Sequence, residues 1–541
     1  MTRSEETHQL DHTSDPNVQA PSEKSPVQPS EDEQHFASGG RLAVIILAIL
    51  FTMFLVALDR TIIATAVPTI ANEFQALNDI SWYAGAYLLT SCGTQLSWGK
   101  VYTLYSTKVV FLLAIIIFEV GSALCGGAPN SNAFIVGRAI AGIGSAGIFS
   151  GATVIIAQII PLPKRPIYVG LMGCIFGLSS IVGPLMGGAF TDRVTWRWCF
   201  YINLPIGGVT LAILILFLSI PSQPKQSCSW SRHFIRMDPI GTVLFLPAVI
   251  CFLLALQMGG TAYPWNNGRI IALFVLSGVL LISFIAVQIW QQEDATVPPR
   301  ILWQRSIISG MVFAICVYGG LITMLYSLPL WFQAVKSTTA VQSGIDTIPM
   351  VIALVVSAII SGGVITATGY YVPWMFVATI LMSTGAGMVT TFKIDTGHSA
   401  WIGYQVLFGL GMGSGLQQPS LAAQTVLGDD SIAIGVSLMF FAQNLGGTVF
   451  ISVGQSLFTN YLASQLTKVP GINAAQLLSA GSLQISKLVP ADKLSTVLII
   501  YNDALWRSFV VVVALTCLMI VPSLTMEWRT TKKDNISVPA Q

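Results

Sequence analysis

The sequence predicts an all-α polytopic membrane protein with about fourteen transmembrane helices. Two observations carry that expectation. Of the 541 residues, 53% are hydrophobic and only 9% charged, with a mean hydropathy of +0.72, whereas about a quarter of the residues in a soluble chain carry charge. The apolar residues also gather into successive runs close to the ~20 residues needed to cross a hydrocarbon core as a helix.

Taken in order, residues 1–41 are rich in Ser, Glu, Pro, Gln and His, and are expected to form a disordered cytosolic tail. No short apolar run with a cleavage site precedes Leu42, so no removable signal peptide is expected and the first span should itself target the chain. Spans are expected near 42–67, 80–98, 109–127, 133–157, 166–188, 200–220, 240–258, 270–290, 308–332, 346–367, 374–392, 401–424, 434–458 and 507–525. An even number of crossings puts both termini on one side.

Basic residues say which side. Lys100 and Lys108 flank the second loop, Lys164 and Arg165 the fourth, Lys225, Arg232 and Arg236 the sixth, Arg300 and Arg305 the eighth, and Arg529, Lys532 and Lys533 the C-terminal tail. The short first and third loops hold no Lys or Arg. The positive-inside rule therefore places even loops and both termini in the cytosol. The bias fades in the second half, where the long external segment 459–506 carries Lys468, Lys487 and Lys493. The Asn535-Ile536-Ser537 sequon falls in the cytosolic tail and should stay unmodified.

A net charge of +2 points to no nucleic-acid partner. The eight cysteines stand singly, without metal-ligand spacing, so no metal or cofactor is expected.

Ionisable residues inside spans are the sharpest functional signal, because each costs at least about 2.5 kcal/mol at mid-helix unless it faces a cavity or a partner. Four stand out: Asp59, Arg60, Glu119 and Arg138. Arg138 shares a helical face with Gly142 and Ser145, so its guanidinium is expected to point inward and bond carbonyls or a carboxylate on the first span. An arginine beside an acid keeps that acid responsive to protons; a fixed structural salt bridge is the alternative. Arg60 and Glu119 either join this proton-coupling group or snorkel to an interface.

Small residues at 173, 177, 180, 184 and 187 stack on one face of the fifth span and should offer a smooth groove to a neighbouring helix. Pro184 makes a bend there an expectation. Ordinary packing is the bland reading of the run Gly183-Pro184-Leu185-Met186-Gly187-Gly188.

Several motifs then match a family. Leu58-Asp59-Arg60-Thr61 through Val67-Pro68 resembles the first-helix motif of the fourteen-span drug:proton antiporters of the major facilitator superfamily. Gly137-Arg138 through Gly142-Ile143-Gly144 resembles the fourth-helix arginine motif, and the run from Gly170 to Gly183, Pro184, Gly187 and Gly188 the fifth-helix antiporter motif. Trp196 to Pro205, Phe332 to Lys336 and Gln342 to Asp346 are similar to the fungal toxin and multidrug efflux branch. The resemblance runs from about residue 40 to 530.

The gating loop, opened by Gly99 and Lys100 and closed by Lys108, departs from the family pattern. Thr103 stands where an aspartate is usual and Ser106 where the second glycine is, which weakens a charge-relay gate. Ala141 replaces a glutamine in the fourth helix and Ser179 a glycine in the fifth; both residues stay small.

The resemblance implies a major facilitator fold: an N-terminal six-helix bundle over 42–220, a cytosolic loop and two inserted helices over 221–306, a C-terminal six-helix bundle over 307–526, and a cytosolic tail over 527–541. It implies export of amphipathic organic compounds, such as secondary metabolites or drugs, in exchange for protons, by a monomer in the cell membrane, with a vacuolar membrane as the alternative. Tyr318, Tyr326, Gln405, Gln417, Gln418, Gln443 and Asn444 are the expected walls of its substrate cavity. A proton-coupled importer of a nutrient or siderophore shares the fold and differs only in direction.

An ATP-driven pump is disfavoured because no Gly-xxxx-Gly-Lys-Ser/Thr loop occurs. An enzyme is disfavoured because no catalytic cluster occurs.

Overall fold

The computed structural model describes residues 39–76, 79–220, 236–260, 263–472, 477 and 489–532. The tail before residue 39, Lys225, Arg232, Lys487, Lys533 and the Asn535 sequon lie outside the described residues. The long helices are α1 (Gly39–Glu73), α2 (Ile80–Leu104), α3 (Thr107–Gly126), α4 (Ser131–Ile159), α5 (Arg165–Arg193), α6 (Asn203–Phe217), α7 (Pro239–Met258), α8 (Gly268–Gln291), α9 (Arg305–Val335), α10 (Ile348–Thr368), α11 (Val372–Val389), α12 (His398–Gly415), α13 (Ile432–Leu466) and α14 (Ala491–Leu518). Among the described residues there is no strand, only the isolated bridges Gly259–Tyr263 and Tyr370–Thr530.

Local chemistry sets several helix ends. Asn130 accepts a hydrogen bond from the Ala133 amide at the start of α4, and Asp238 one from the Gly241 amide at the start of α7. Each satisfies a backbone donor that has no partner within its own helix. α10 ends on Gly369, whose φ of +88° is a left-handed conformation that favours glycine.

Twelve segments among the described residues are long and apolar enough to cross a membrane, against the fourteen expected. α2 and α12 fall short, and for different reasons. The polar residues that dilute α2 are used inside the protein: Thr90 donates to Ala139 O, Gln95 to Ser150 Oγ, Trp98 to Ile143 O and Tyr102 to Gly147 O, all on α4. α12 is diluted by glycine. A Cβ on Gly409 or Gly413 would strike the Met350 or Leu354 carbonyl of α10, and one on Gly411 or Gly415 would strike Met382 or Ala378 of α11. α12 is thus a thin wedge between two helices, with a bare backbone on both sides.

Span ends differ from expectation most at the C-terminal side. α13 continues to Leu466 and α14 begins at Ala491, so the segment expected as a loop over 459–506 is helical at both ends. The last span, expected at 507–525, begins earlier because Asp492, Lys493, Asp503 and Arg507 interrupt the apolar run without ending the helix.

Buried apolar side chains form four clusters. Two are drawn almost wholly from α1–α4, α6 and the 196–200 turn, and one from α9 to α14. The fourth joins α2 to α7, α8, α9 and α13. α7 and α8 pack on each other through Phe245 and Phe284, with ring centroids 4.9 Å apart. The opposite face of α8 leaves Val275, Val279, Ile282, Ile285 and Ile289 exposed, as a bilayer-facing helix would.

Candidate functional site

Consecutive residues on a helix point about 100° apart, so Asp59 and Arg60 leave α1 toward different neighbours. Asp59 faces α4. Arg138 Nη1 donates to Asp59 Oδ2 at 2.6 Å, with both side chains excluded from solvent. Arg138 Nε donates to Tyr83 O at 2.9 Å, and its guanidinium lies 4.4 Å from the Tyr87 ring centroid. Asp59 Oδ1 is buried without a hydrogen-bond partner among the described residues. The expected inward-pointing arginine and first-span carboxylate therefore meet. Removing one member of such a pair leaves a bare buried charge, at a cost of about 3–5 kcal/mol.

Arg60 faces α2 and α13. It donates to Ser91 Oγ at 3.2 Å and Asn444 Oδ1 at 3.4 Å, and its guanidinium lies 5.4 Å from the Tyr87 ring and 5.1 Å from the Phe149 ring. It does not snorkel to an interface. Glu119 is half-buried on α3 against Gly207 of α6, and both its carboxyl oxygens are buried without a hydrogen-bond partner among the described residues. It does not join the ion pair.

The small-residue face of α5 divides between two neighbours. A Cβ on Gly170 would come within 2.7 Å of Ala358 O, and one on Gly177 within 2.8 Å of Val355, both on α10. One on Gly183 or Gly187 would strike Thr61 or Thr65 of α1. At about 100° per residue Gly183 is rotated roughly 80° from Gly173, which is enough to reach a second helix. The single groove expected from the sequence is corrected accordingly, and Gly188 has nothing within 4 Å of its Cβ position. α5 runs unbroken through Pro184. Thr61 Oγ1 donates to Ser179 O at 2.9 Å, tying α1 to α5 one turn before that proline.

The gating-loop residues have three separate partners. Gly99 abuts Ser437 of α13, Lys100 Nζ donates to Ala295 O at 2.7 Å, and Lys108 Nζ donates to Ile215 O at 2.8 Å. Lys100 meets a structured turn centred on Asp238, which accepts from Gln288 Nε2 at 2.6 Å and from both the amide and hydroxyl of Thr296 at 2.9 Å. Burial opposes ionisation of Asp238, yet these donors hold its carboxyl below its ordinary range. At the far end of α1, hydrogen bonds from Trp196 and Arg197 hold Glu73 below its ordinary range.

Of the seven expected cavity residues, two reach the Arg60 centre: Asn444 by its hydrogen bond and Tyr318, on α9, as an electrostatic neighbour of the guanidinium. Gln405 donates to Asp346 O and Gln443 to Leu416 O, so both amides tie their helices to the backbone of neighbouring segments. Gln417 and Gln418 line a small pocket where α5, α10 and α12 meet. Tyr326 is 42% exposed and stands apart. Sequence reasoning missed Tyr87, Ser91 and Phe149, whose signal was the unusual polarity of α2 and an aromatic among the small residues of α4. It also missed Arg507, 3.9 Å from the Tyr461 ring centroid, because Arg507 stands at the first residue of the last expected span, where a charge meets water.

Comparison with known proteins gives a match to the Major Facilitator Superfamily over residues 49–451. The chain is 53% identical to the rubrofusarin-specific efflux pump aurT of Gibberella zeae, over 93% of this chain and 92% of that protein. It is 52% identical to the MFS-type efflux pump MFS1 of Trichophyton rubrum, over 94% of this chain and 96% of that protein. It is 48% identical to the efflux pump aflT of Aspergillus parasiticus, over 92% and 97% respectively. Among solved structures, the proton:xylose symporter XylE superposes with a TM-score of 0.57 at 12% identity, covering 89% of this chain and 95% of that one. At that identity the likeness concerns the fold alone.

Proposed function

The chain belongs to the major facilitator superfamily, and from that membership we propose that it is a secondary active exporter of amphipathic organic compounds, driven by inward movement of protons. It is a transporter and not an enzyme. The efflux names of relatives that match nearly its whole length carry the direction of transport.

Proton coupling is assigned to the Asp59–Arg138 pair. Protonation of Asp59 would remove the charge that compensates Arg138 and so change the free energy of the α1–α4 contact, biasing a two-state rearrangement. The buried 2.6 Å contact and the unpartnered Oδ1 support this role. Glu119 is assigned as a second proton-sensitive group and Arg60 as a fixed charge between them and the cargo. The α5 contacts with α10, together with Gly99 against α13 and the Ser437–Ser150 hydrogen bond of 3.0 Å, are assigned to closing one end of the transport path. By the distribution of basic residues that end is cytosolic.

The same reading takes α2 and α12 as membrane crossings, giving fourteen, with both termini cytosolic and α7 and α8 as the pair inserted between two six-helix bundles. It places a monomer in the cell membrane. Inside-out vesicles test it: an acid lumen should drive uptake of an amphipathic probe such as a polyphenol, and a protonophore should abolish that uptake. Accumulation in the opposite orientation only would instead identify an importer.

A further inference from the structure

Asp59 and Arg138 neutralise one another, which leaves Arg60 as a second guanidinium in the same neighbourhood with no carboxylate within ion-pair distance among the described residues. A guanidinium stays charged at any pH a protein tolerates, so this charge needs a partner rather than a proton. Its present partners are neutral and distant for hydrogen bonds, Ser91 Oγ at 3.2 Å and Asn444 Oδ1 at 3.4 Å. Its Nε has no hydrogen-bond partner among the described residues. The flanks are aromatic: Tyr87 and Phe149 lie within 5.4 Å and 5.1 Å of the guanidinium. The residue as a whole is half-buried, with its Nε enclosed. It also lies where α1 and α2 meet α9 and α13, helices that a transport cycle must move relative to one another.

Resting on the export reading, we propose that Arg60 is the anchor of a cargo subsite for planar aromatic anions, meaning ring systems bearing a carboxylate or an ionised phenol. The planar fork of arginine pairs with two oxygens of such an anion, and the neighbouring aromatic faces accept its rings. Ser91 and Asn444 hold the guanidinium while the subsite is empty. Displacing two long neutral bonds for a charge-assisted pair favours the anion over its neutral isostere.

Equilibrium binding to the purified full-length protein, with no gradient imposed, tests this independently of direction and of proton coupling. The probes are 2-naphthoate and 2-naphthamide, which share ring and size and differ in charge. The acid is expected to bind about tenfold or more tightly, a difference of ~1.4 kcal/mol or above. The ratio should fall toward one in Arg60→Gln and be partly kept in Arg60→Lys. Equal binding of the two probes by the wild-type protein, or an undiminished ratio in Arg60→Gln, overturns the proposal. Should Arg60→Gln fail to fold, 2-naphthol titrated through its own ionisation on the wild-type protein decides the matter. Affinity rising with the ionised fraction supports the subsite, and affinity flat across that titration contradicts it.

Discussion

The crossing of α1 with α4 and the crossing of α9 with α13 are built from different chemistry. The first holds a desolvated ion pair, Asp59 with Arg138. The second is neutral and glycine-packed: a Cβ on Gly446 would strike the Ile315 carbonyl, and one on Gly447 would come within 2.9 Å of Tyr318. A charge pair has two states that a proton can switch, while a glycine seam has only a shape. On the proposed reading, switching belongs to the first half, and the second supplies Asn444 to the Arg60 centre.

Substitutions that treat both crossings alike would break that contrast. Arg138→Gln should be the most damaging, lowering stability by about 3–5 kcal/mol because Asp59 is left buried and unpaired. Thermal unfolding of the purified protein measures it, and the double variant Asp59→Asn with Arg138→Gln should recover part of the loss. Asn444→Ala, on the neutral side, should cost only about 1 kcal/mol. If it proves as costly as Arg138→Gln, the asymmetry is not real.

Next in size is the junction that ties α2 to the inserted helices. Asp238→Ala strips donors on Gly241, Gln288 and Thr296 of one shared acceptor and should cost about 1.5–3 kcal/mol. Because the Asp238 carboxyl is held below its ordinary range, its contribution is complete above that range and disappears as pH falls through the lowered value. Stability of the wild-type protein should therefore decline on acidification, and that acid-dependent part should be missing in Asp238→Ala.

The α5 seam gives a contrast within one helix. Gly170→Leu forces α5 from α10 and should abolish transport, whereas Gly188→Ala, with open space at its Cβ, should leave stability within about 0.5 kcal/mol of wild type. A small effect is also expected at the Glu73–Arg197 pair at the far end of α1. It is partly exposed, so Arg197→Gln should cost at most about 1 kcal/mol. That contribution, too, is lost as pH falls through the lowered Glu73 value.

How much of this was legible in the sequence depended on the kind of signal. Apolar runs revealed most of the helices, because hydropathy reports lipid contact directly. They weighed least on α2 and α12, where side-chain hydrogen bonds and bare glycine backbone replace lipid-facing bulk. The Asp59–Arg138 contact was legible because a charge in a span demands a partner and few were available. Arg60 stood out by the same rule, but its pairing with Ser91 and Asn444 did not, since no charge rule singles out neutral groups on α2 and α13. The small-residue run disclosed close packing but not its partners: a face that turns about 100° per residue meets α10 first and α1 later.

Proton flux accompanying cargo tests the central claim most directly. In inside-out proteoliposomes holding a pH-sensitive dye and an acid lumen, adding cargo outside should make the lumen more alkaline as cargo enters and protons leave. With Asp59→Asn, purified and shown to be folded, the cargo-dependent change should vanish. An undiminished change in that variant would contradict the account, because the proton would then be travelling on another group.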